Sequence, residues 1–145
     1  MGGSEEISMM ILGLDGKQHK LRLIDRRRKD VSKLHLRVRD ILKRLYPFDL
    51  VFEEVTLSGT KTAKHKGLRT DFFIPNQRIM IEVHGQQHYT FNPFYHKNKL
   101  DFALCRKRDS DKALWCSFNK IAYVELKYDQ SDDEWTRLIT TAHCD

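Results

Sequence analysis

The segment RTDFFIPNQRIMIEVHGQQHY, residues 69–89, constrains the fold more than any other part of this sequence. It contains two apolar, strand-like runs, 69–74 and 78–84, which are separated only by the short connection PNQ. Strands joined so tightly are expected to pair antiparallel. Each run also holds a carboxylate, Asp71 or Glu82, although strand interiors are depleted in acidic residues and an unpaired buried charge is costly. The pattern predicts a strand pair in which the two acidic side chains have a functional role.

The alternation of side chains along a strand indicates what that chemistry is. Residues two apart share a face, so Glu82 and His84 are predicted on one side of their strand, and the antiparallel return can set Asp71 opposite Glu82. Two carboxylates that close repel unless a positive group lies between them. A hard cation such as Mg²⁺ typically uses one or two carboxylates together with phosphate oxygens and water. The strand pair therefore predicts a site for metal-assisted phosphodiester hydrolysis.

The other patterns predict an α/β fold built around one mixed β-sheet flanked by helices, with an N-terminal β-hairpin. Residues 1–29 are expected to form the hairpin and a basic linker packed on the same domain, and residues 30–145 the main domain. The Asp15-Gly16 turn predicts the hairpin, Ser32 is a predicted helix N-cap, and Ser131-x-x-Glu134 is a predicted capping box. The predicted elements are strands 8–14, 20–25, 49–57, 69–74, 78–84 and 121–128, and helices 32–46, 98–118 and 132–141.

Charge and cysteine content narrow the class of partner. The chain has 26 Lys and Arg against 20 Asp and Glu, and the basic surplus lies in 17–45 and 59–69 whereas 129–135 is acidic. A basic surplus that is concentrated in two segments favours a phosphate-rich partner such as double-stranded DNA. No run of about 18 apolar residues predicts a membrane span. Three cysteines without a close pair favour a reducing compartment, so a cytoplasmic protein is expected.

The spacing Asp71-x10-Glu82-x-His84 resembles that of the PD-(D/E)XK nucleases, with His84 where the signature lysine stands. The surrounding motifs are similar to those of the very-short-patch-repair enzymes and of small single-domain endonucleases of phages and bacteria. In this sequence they are DFFIP, IEVHGQQH, RKRDSDKALWC and NKIAYVEL, in family order, and they lie within 30–135.

The resemblance implies a restriction-endonuclease-like fold and a divalent-metal-dependent DNA endonuclease, acting in a bacterial cytoplasm or in that of a phage host. Asp71, Glu82 and the Val83 carbonyl would bind Mg²⁺ or Mn²⁺. His84 would orient or deprotonate the attacking water or bind the scissile phosphate, and Gln86 and His88 would lie at the cleft. A monomer would nick DNA, whereas a double-strand break needs a homodimer or two visits. Residues expected to contact nucleic acid are Arg26, Arg27, Arg28, Lys64, Lys66, Arg69, Arg108 and Lys112.

Family members often carry an acidic residue on the first helix that is aimed at the metal. The corresponding segment here, SKLHLRVRD, offers His35 instead, and Glu53 or Glu54 on the next strand is a possible substitute.

Other interpretations remain open at this point. The missing lysine favours a non-catalytic DNA-binding module that keeps the nuclease fold. The order His, Asn, His in 84–96 allows a ββα-metal nuclease, and the set His88, His96, Cys105 and Cys116 allows a zinc site. Asp71 can instead pair with Arg69 or Arg78, Glu82 with another basic residue, and the histidines can be ordinary hydrogen-bonded residues in a protein that binds no nucleic acid.

Overall fold

The computed structural model of this protein describes residues 7–62 and 66–144, which form a mixed α/β fold. The predicted helices and strands are all present, with ends that differ by at most three residues from the sequence expectation. Two single 3₁₀ turns, Pro75–Gln77 and Gln86–His88, follow the strands that carry Asp71 and Glu82. The elements are β1 (Ile7–Leu12), β2 (Gln18–Leu23), α1 (Lys33–Leu45), β3 (Phe52–Leu57), β4 (Leu68–Ile74), β5 (Ile79–His84), α2 (Lys99–Phe118), β6 (Ala122–Lys127) and α3 (Asp132–Thr140).

The strands form two sheets. β1 and β2 make an antiparallel hairpin, and the main sheet has the order β3-β4-β5-β6. β3, β4 and β5 are antiparallel neighbours, whereas β5 and β6 are parallel and are connected across the sheet by α2. This crossover places α2 directly over the strand that carries Glu82. None of the helices in the described ranges is long and apolar enough to span a membrane.

The helix ends follow from local sequence. The Ser32 side chain accepts a hydrogen bond from the backbone N–H of His35 and so caps α1, and Ser131 caps α3 in the same way through Glu134 N–H. In α1 the residues Val38, Ile41 and Leu42 are buried, which is the predicted apolar stripe.

Each face of the main sheet has its own hydrophobic core. One core joins the hairpin to α2 through Leu21, Leu23, Phe73, Met80 and Trp115. The other lies under α1 and α3, and its centre comprises Phe72, Ile81, Val124, Leu126 and Trp135. The N-terminal hairpin therefore shares a core with the main sheet.

β4 and β5 separate from each other at the acidic residues Asp71 and Glu82, and we call this place the strand fork. The last residues that pair between the two strands are Phe72 and Ile81. Beyond them, β4 pairs only with β3, and β5 pairs only with β6. Asp71 is the first residue beyond that pair, and its Oδ2 accepts a hydrogen bond from Val83 N–H at 2.9 Å. The carboxylate thus satisfies a backbone donor that the separating strands would leave unpaired.

Candidate active site

Asp71 and Glu82 lie side by side at the strand fork, as the register of the two strands led us to expect. Glu82 is 4% exposed and points toward α2, where Lys112 donates a hydrogen bond to its carboxylate. Burial raises the pKa of Glu82 well above its ordinary value, the adjacent charge of Asp71 raises it further, and Lys112 opposes both. The raised pKa means that the two adjacent carboxylates favour holding a proton between them, and a bound cation would take the place of that proton.

A third carboxylate, Glu54 of β3, and a histidine, His35 of α1, approach Asp71. His35, Glu54 and Asp71 each bring a potential ligand atom within 4.8 Å of the others. Glu54 has a φ of 55°, in the left-handed region that non-glycine residues rarely occupy. It lies between the ladder pairs Glu53–Phe72 and Val55–Thr70, opposite Asp71, and interrupts the ladder there. Strained residues of this kind concentrate at functional sites.

Glu53 orients His35 through a hydrogen bond with its Nε2 atom. It is fully buried and accepts hydrogen bonds from His35 Nε2 at 2.7 Å, from Arg39 Nη2 at 2.7 Å and from Arg27 Nε at 3.0 Å. Burial alone would raise the pKa of Glu53, but the bonds from His35 and Arg39 outweigh it and lower the pKa to about 2. A histidine with one nitrogen held by a carboxylate is fixed in tautomer and orientation, as metal-binding histidines commonly are.

This donor set fits a divalent cation. Asp71 and Glu54 supply the carboxylate oxygens that Mg²⁺ and Mn²⁺ prefer, His35 adds an imidazole nitrogen, and Glu82 lies on the other side of Asp71. Since imidazole suits transition metals better than Mg²⁺, the set favours Mn²⁺ over Mg²⁺. The ligands come from three consecutive strands and α1, so the site depends on how α1 docks against the sheet.

A second polar cluster lies two residues farther along β5. His84 is 1% exposed and stacks on His88, with ring centroids 4.0 Å apart. His88 Nδ1 is 2.8 Å from Asp109 Oδ2 of α2, and His84 Nδ1 is 3.1 Å from Glu125 Oε1 of β6. Burial lowers the pKa of His84, the neighbouring His88 lowers it further, and Asp109 and Glu125 oppose both. His84 is therefore mostly neutral at pH 7 and available to accept a proton.

His84 borders a cavity of about 230 Å³ that is lined by polar groups. Among the described residues, the buried side-chain atoms that make no well-aligned hydrogen bond are Nδ1 and Nε2 of His84, although Nδ1 lies 3.1 Å from Glu125 Oε1, and the hydroxyl of Tyr123. His84 and Tyr123 both line this cavity, together with Asp109 and Glu125. A buried polar group without a partner costs about 1–3 kcal/mol, so the cavity is suited to a polar occupant such as water or a phosphate oxygen.

The predicted nucleic-acid contacts divide into two groups. Arg28 and Arg69 lie 3.8 and 3.6 Å from the two oxygens of Glu54, and together with Arg27, which binds Glu53, they form a cationic rim beside the cation ligands. Lys112 lies inside the site, on Glu82. The others lie elsewhere: Arg26 is exposed in the linker, Lys66 lies near the hairpin turn, Arg108 lines a groove beside α2, and Lys64 is outside the described residues.

Other expected site residues take different positions. Gln86 is exposed at the start of the 3₁₀ turn, and its backbone carbonyl accepts a hydrogen bond from Tyr89 N–H. Val83 meets Asp71 through its amide N–H, a contact the sequence did not suggest. The arginines considered as partners for Asp71 bind elsewhere: Arg69 approaches Glu54, and Arg78 donates to backbone carbonyls of Asn119 and Lys120.

Glu125 and Tyr123 are the site residues that the sequence analysis missed. Both project from β6 toward α2, because their neighbours Ala122, Val124 and Leu126 fill the opposite core. The signal was present, since Glu125 is a carboxylate inside the strand-like run IAYVELKY, as Glu82 is in its own run.

Two of the other interpretations lose their geometric basis. A ββα-metal site needs a hairpin between its histidines, but residues 85–98 contain only a 3₁₀ turn and loop, and His96 packs against Phe91 and Phe102. The four-residue zinc set does not converge. Cys105 Sγ lies 3.7 Å from His88 Nδ1, whereas Cys116 packs against Met80.

Comparison with known proteins gives partial matches to two viral proteins. The chain is 35% identical over 65 residues to the uncharacterized protein 307L of Invertebrate iridescent virus 6, and these residues are 45% of this chain and 33% of that protein. It is 36% identical over 61 residues to the uncharacterized protein 033L of Invertebrate iridescent virus 3, which is 42% of this chain and 31% of the relative. The matched stretch thus spans about one third of the length of each relative. No family model matches the chain, and no solved structure matches it.

Proposed function

We propose that this protein is a divalent-cation-dependent DNA endonuclease with a restriction-endonuclease-like fold. The observation that carries the proposal is the strand fork, where Asp71 lies against Glu82 on one side and against His35 and Glu54 on the other. Such a concentration of carboxylates in a basic chain suits a cation that works on a phosphodiester, and it agrees with the order of motifs in the sequence.

When bound, a divalent cation would polarise the scissile phosphate and favour ionisation of the attacking water. The chain's own residues then have separate tasks. Asp71, Glu54 and Glu82 hold the cation, Glu53 fixes His35, and Lys112 keeps a positive charge at Glu82. The signature of the resembled family has a lysine two residues after the glutamate, where this chain has His84. We propose that Lys112 supplies the corresponding positive charge from α2.

His84 is the proposed proton acceptor. It lies on the same face of β5 as Glu82, about 7 Å along the strand, and its side chain lines the polar cavity. A proton taken from water would leave an imidazolium between the carboxylates of Asp109 and Glu125, which stabilise it. His88, bound to Asp109, holds that carboxylate in position.

Double-stranded DNA is the proposed substrate because cationic side chains border the cation ligands. Arg28 and Arg69 lie beside Glu54 and keep side-chain exposures of 58% and 56%, so they remain able to contact phosphates. These contacts carry no sequence information in themselves, and the proposal therefore concerns DNA as a chemical class.

The test is cleavage of supercoiled plasmid with Mn²⁺ or Mg²⁺. We expect nicking by the natural chain, more with Mn²⁺ than with Mg²⁺, and a loss of about a hundredfold or more in Asp71→Asn and Glu82→Gln, because loss of even an outer partner of a metal site costs up to about that much. Asp133→Asn, an exposed carboxylate on α3, is the matched control and should cut normally. Unchanged cutting by the Asp71 and Glu82 variants would overturn the site assignment.

One observation favours the second candidate, a non-catalytic DNA-binding module. Lys112 already pairs with Glu82, and a bound lysine can take the place of a cation. This candidate predicts DNA binding without cleavage by any divalent metal, and no increase in melting temperature when Mn²⁺ is added.

A further inference from the structure

α2 carries an exposed apolar stripe whose residues belong to neither of the two hydrophobic cores. Leu100, Leu104, Leu114 and Phe118 are 65%, 45%, 47% and 43% exposed. They are spaced at i, i+4, i+14 and i+18, which places them on one line along a helix of 3.6 residues per turn. Lys107 and Asp111, at i+7 and i+11, complete this line, and we call these six residues the α2 stripe.

The α2 stripe is symmetric about position 109. Leu100 and Phe118 lie nine residues to either side of that position, Leu104 and Leu114 five, and Lys107 and Asp111 two. When two copies of a helix pack antiparallel about a two-fold axis, each residue meets the one at the same distance on the other side of the centre. Apolar residues would then meet apolar residues, and Lys107 would meet Asp111.

We propose that α2 is a homodimer interface, in which the α2 stripe packs antiparallel against the same stripe of a second copy. Charge complementarity favours a second copy as the partner, since Lys107 of each copy would face Asp111 of the other. A parallel arrangement would instead place Lys107 on Lys107 and Asp111 on Asp111, which is repulsive.

The central charges are already ordered for this contact. Lys107 Nζ lies 2.8 Å from Asp111 Oδ2 within the helix. A second copy would turn this pair into a network of four alternating charges, which is more favourable than an isolated surface pair. The ion pair thus sets register, and the flanking leucines and Phe118 supply the apolar burial.

A groove beside the stripe gives the partner helix further contact area. A cavity of about 590 Å³ lies between α2 and the hairpin, and it is lined by Leu14, Leu68 and Leu104 as well as by Lys107 and Asp111. α2 alone is roughly 30 Å long and presents a narrow strip, less than the roughly 800 Å² per partner of a standard interface. We therefore expect a dimer that dissociates in the micromolar range.

Dimerisation would leave the proposed active site intact. Asp109 and Lys112 lie on the opposite side of α2, where they contact His88 and Glu82. Variants of the α2 stripe should therefore change association without changing nicking per chain, and the two proposals can fail independently.

The experiment is sedimentation velocity over roughly a hundredfold range of protein concentration around the micromolar scale. We expect a reversible monomer–dimer equilibrium in the natural chain and monomer in Leu104→Glu/Leu114→Glu. Lys107→Asp and Asp111→Lys should each remain monomeric alone, because each places like charges together. An equimolar mixture of these two variants should form a heterodimer, since one copy then carries two acidic and the other two basic residues.

These variants change side chains that are exposed or, at Asp111, half-buried, and circular dichroism of each confirms that it is folded. A natural chain that stays monomeric over the whole range overturns the proposal. A dimer that the single charge variants leave unchanged, or a mixture that does not associate, also overturns the antiparallel pairing and points to another occupant of the stripe.

Discussion

At the scale of single residues, Glu54 shows how the candidate site departs from an ordinary sheet. Its left-handed backbone interrupts the β3–β4 ladder and accompanies the approach of its carboxylate to Asp71 and His35. A left-handed conformation costs a residue with a Cβ about 1–2 kcal/mol, whereas glycine adopts it without that penalty. The site therefore includes a strain that a purely structural strand would not need.

Two substitutions at this position separate strain from charge. Glu54→Gly and Glu54→Ala both remove the carboxylate, but only glycine removes the backbone strain, so Glu54→Gly should be more stable to unfolding by about 1 kcal/mol. Both should lose the increase in melting temperature that we expect Mn²⁺ to give the natural chain. Thermal denaturation with and without Mn²⁺ measures both effects. Equal stability of the two variants would contradict the role assigned to the backbone.

At the scale of elements, Glu53 fastens α1 and the basic linker to β3. The buried carboxylate accepts hydrogen bonds from His35 and Arg39 of α1 and from Arg27 of the linker. These contacts fix the position of the helix that carries His35, so the geometry of the proposed cation site depends on one buried ion-pair network. Removing one partner of such a network leaves the other charges buried without compensation.

The pH dependence of this network has a definite sign. The pKa of Glu53 falls from its ordinary 4.5 to about 2 in the folded chain, so its contribution is complete above pH 4.5 and is lost as the pH falls toward 2. The shift corresponds to roughly 3 kcal/mol. Glu53→Gln should thus be much less stable than the natural chain at pH 7, and the gap should narrow by pH 3.

Urea unfolding at both pH values measures that gap. Asp40→Asn, an exposed carboxylate on the same helix, is the control and should show a small difference from the natural chain at either pH. A Glu53→Gln gap that stays constant with pH would show that the carboxylate is not held in its charged form by α1.

At the scale of the whole molecule, the charge is distributed in a way that suits a polyanion. Arg28 and Arg69 come from the linker and β4, far apart in sequence, and meet at Glu54 on the rim of the site. The acidic start of α3 contacts α1, where Asp132 binds Arg37 and so has a cationic partner of its own. A DNA backbone would therefore be drawn to the rim.

Salt dependence of DNA binding tests this distribution. Each phosphate contact contributes about 0.9 to the slope of log affinity against log salt concentration, so Arg69→Ala should lower the slope by about that amount. Arg137→Ala, which removes the same charge from the exposed side of α3, should leave the slope unchanged. Fluorescence anisotropy with a labelled duplex gives both slopes, and equal effects of the two variants would place the DNA elsewhere.

The predictable part of this protein consists of features with a local cause. Strand alternation placed Glu82 and His84 on one face, the PNQ connection predicted the antiparallel pair, and Ser32 and Ser131 marked two helix starts. These follow from periodicity, turn chemistry and capping, which act over a few residues and are therefore visible in one sequence.

The tertiary structure decided which distant groups share the site. Lys112 reaches Glu82 because α2 crosses over β5, Glu125 meets His84 because β6 pairs parallel to it, and Glu54 rather than Glu53 joins Asp71 because β3 is distorted there. The elements and the two acidic strands could be predicted from the sequence alone, since they depend on neighbours along the chain. The fork, the lysine from α2 and the histidine from α1 depend on which helix face docks on which strand, and that is settled only when the whole core packs.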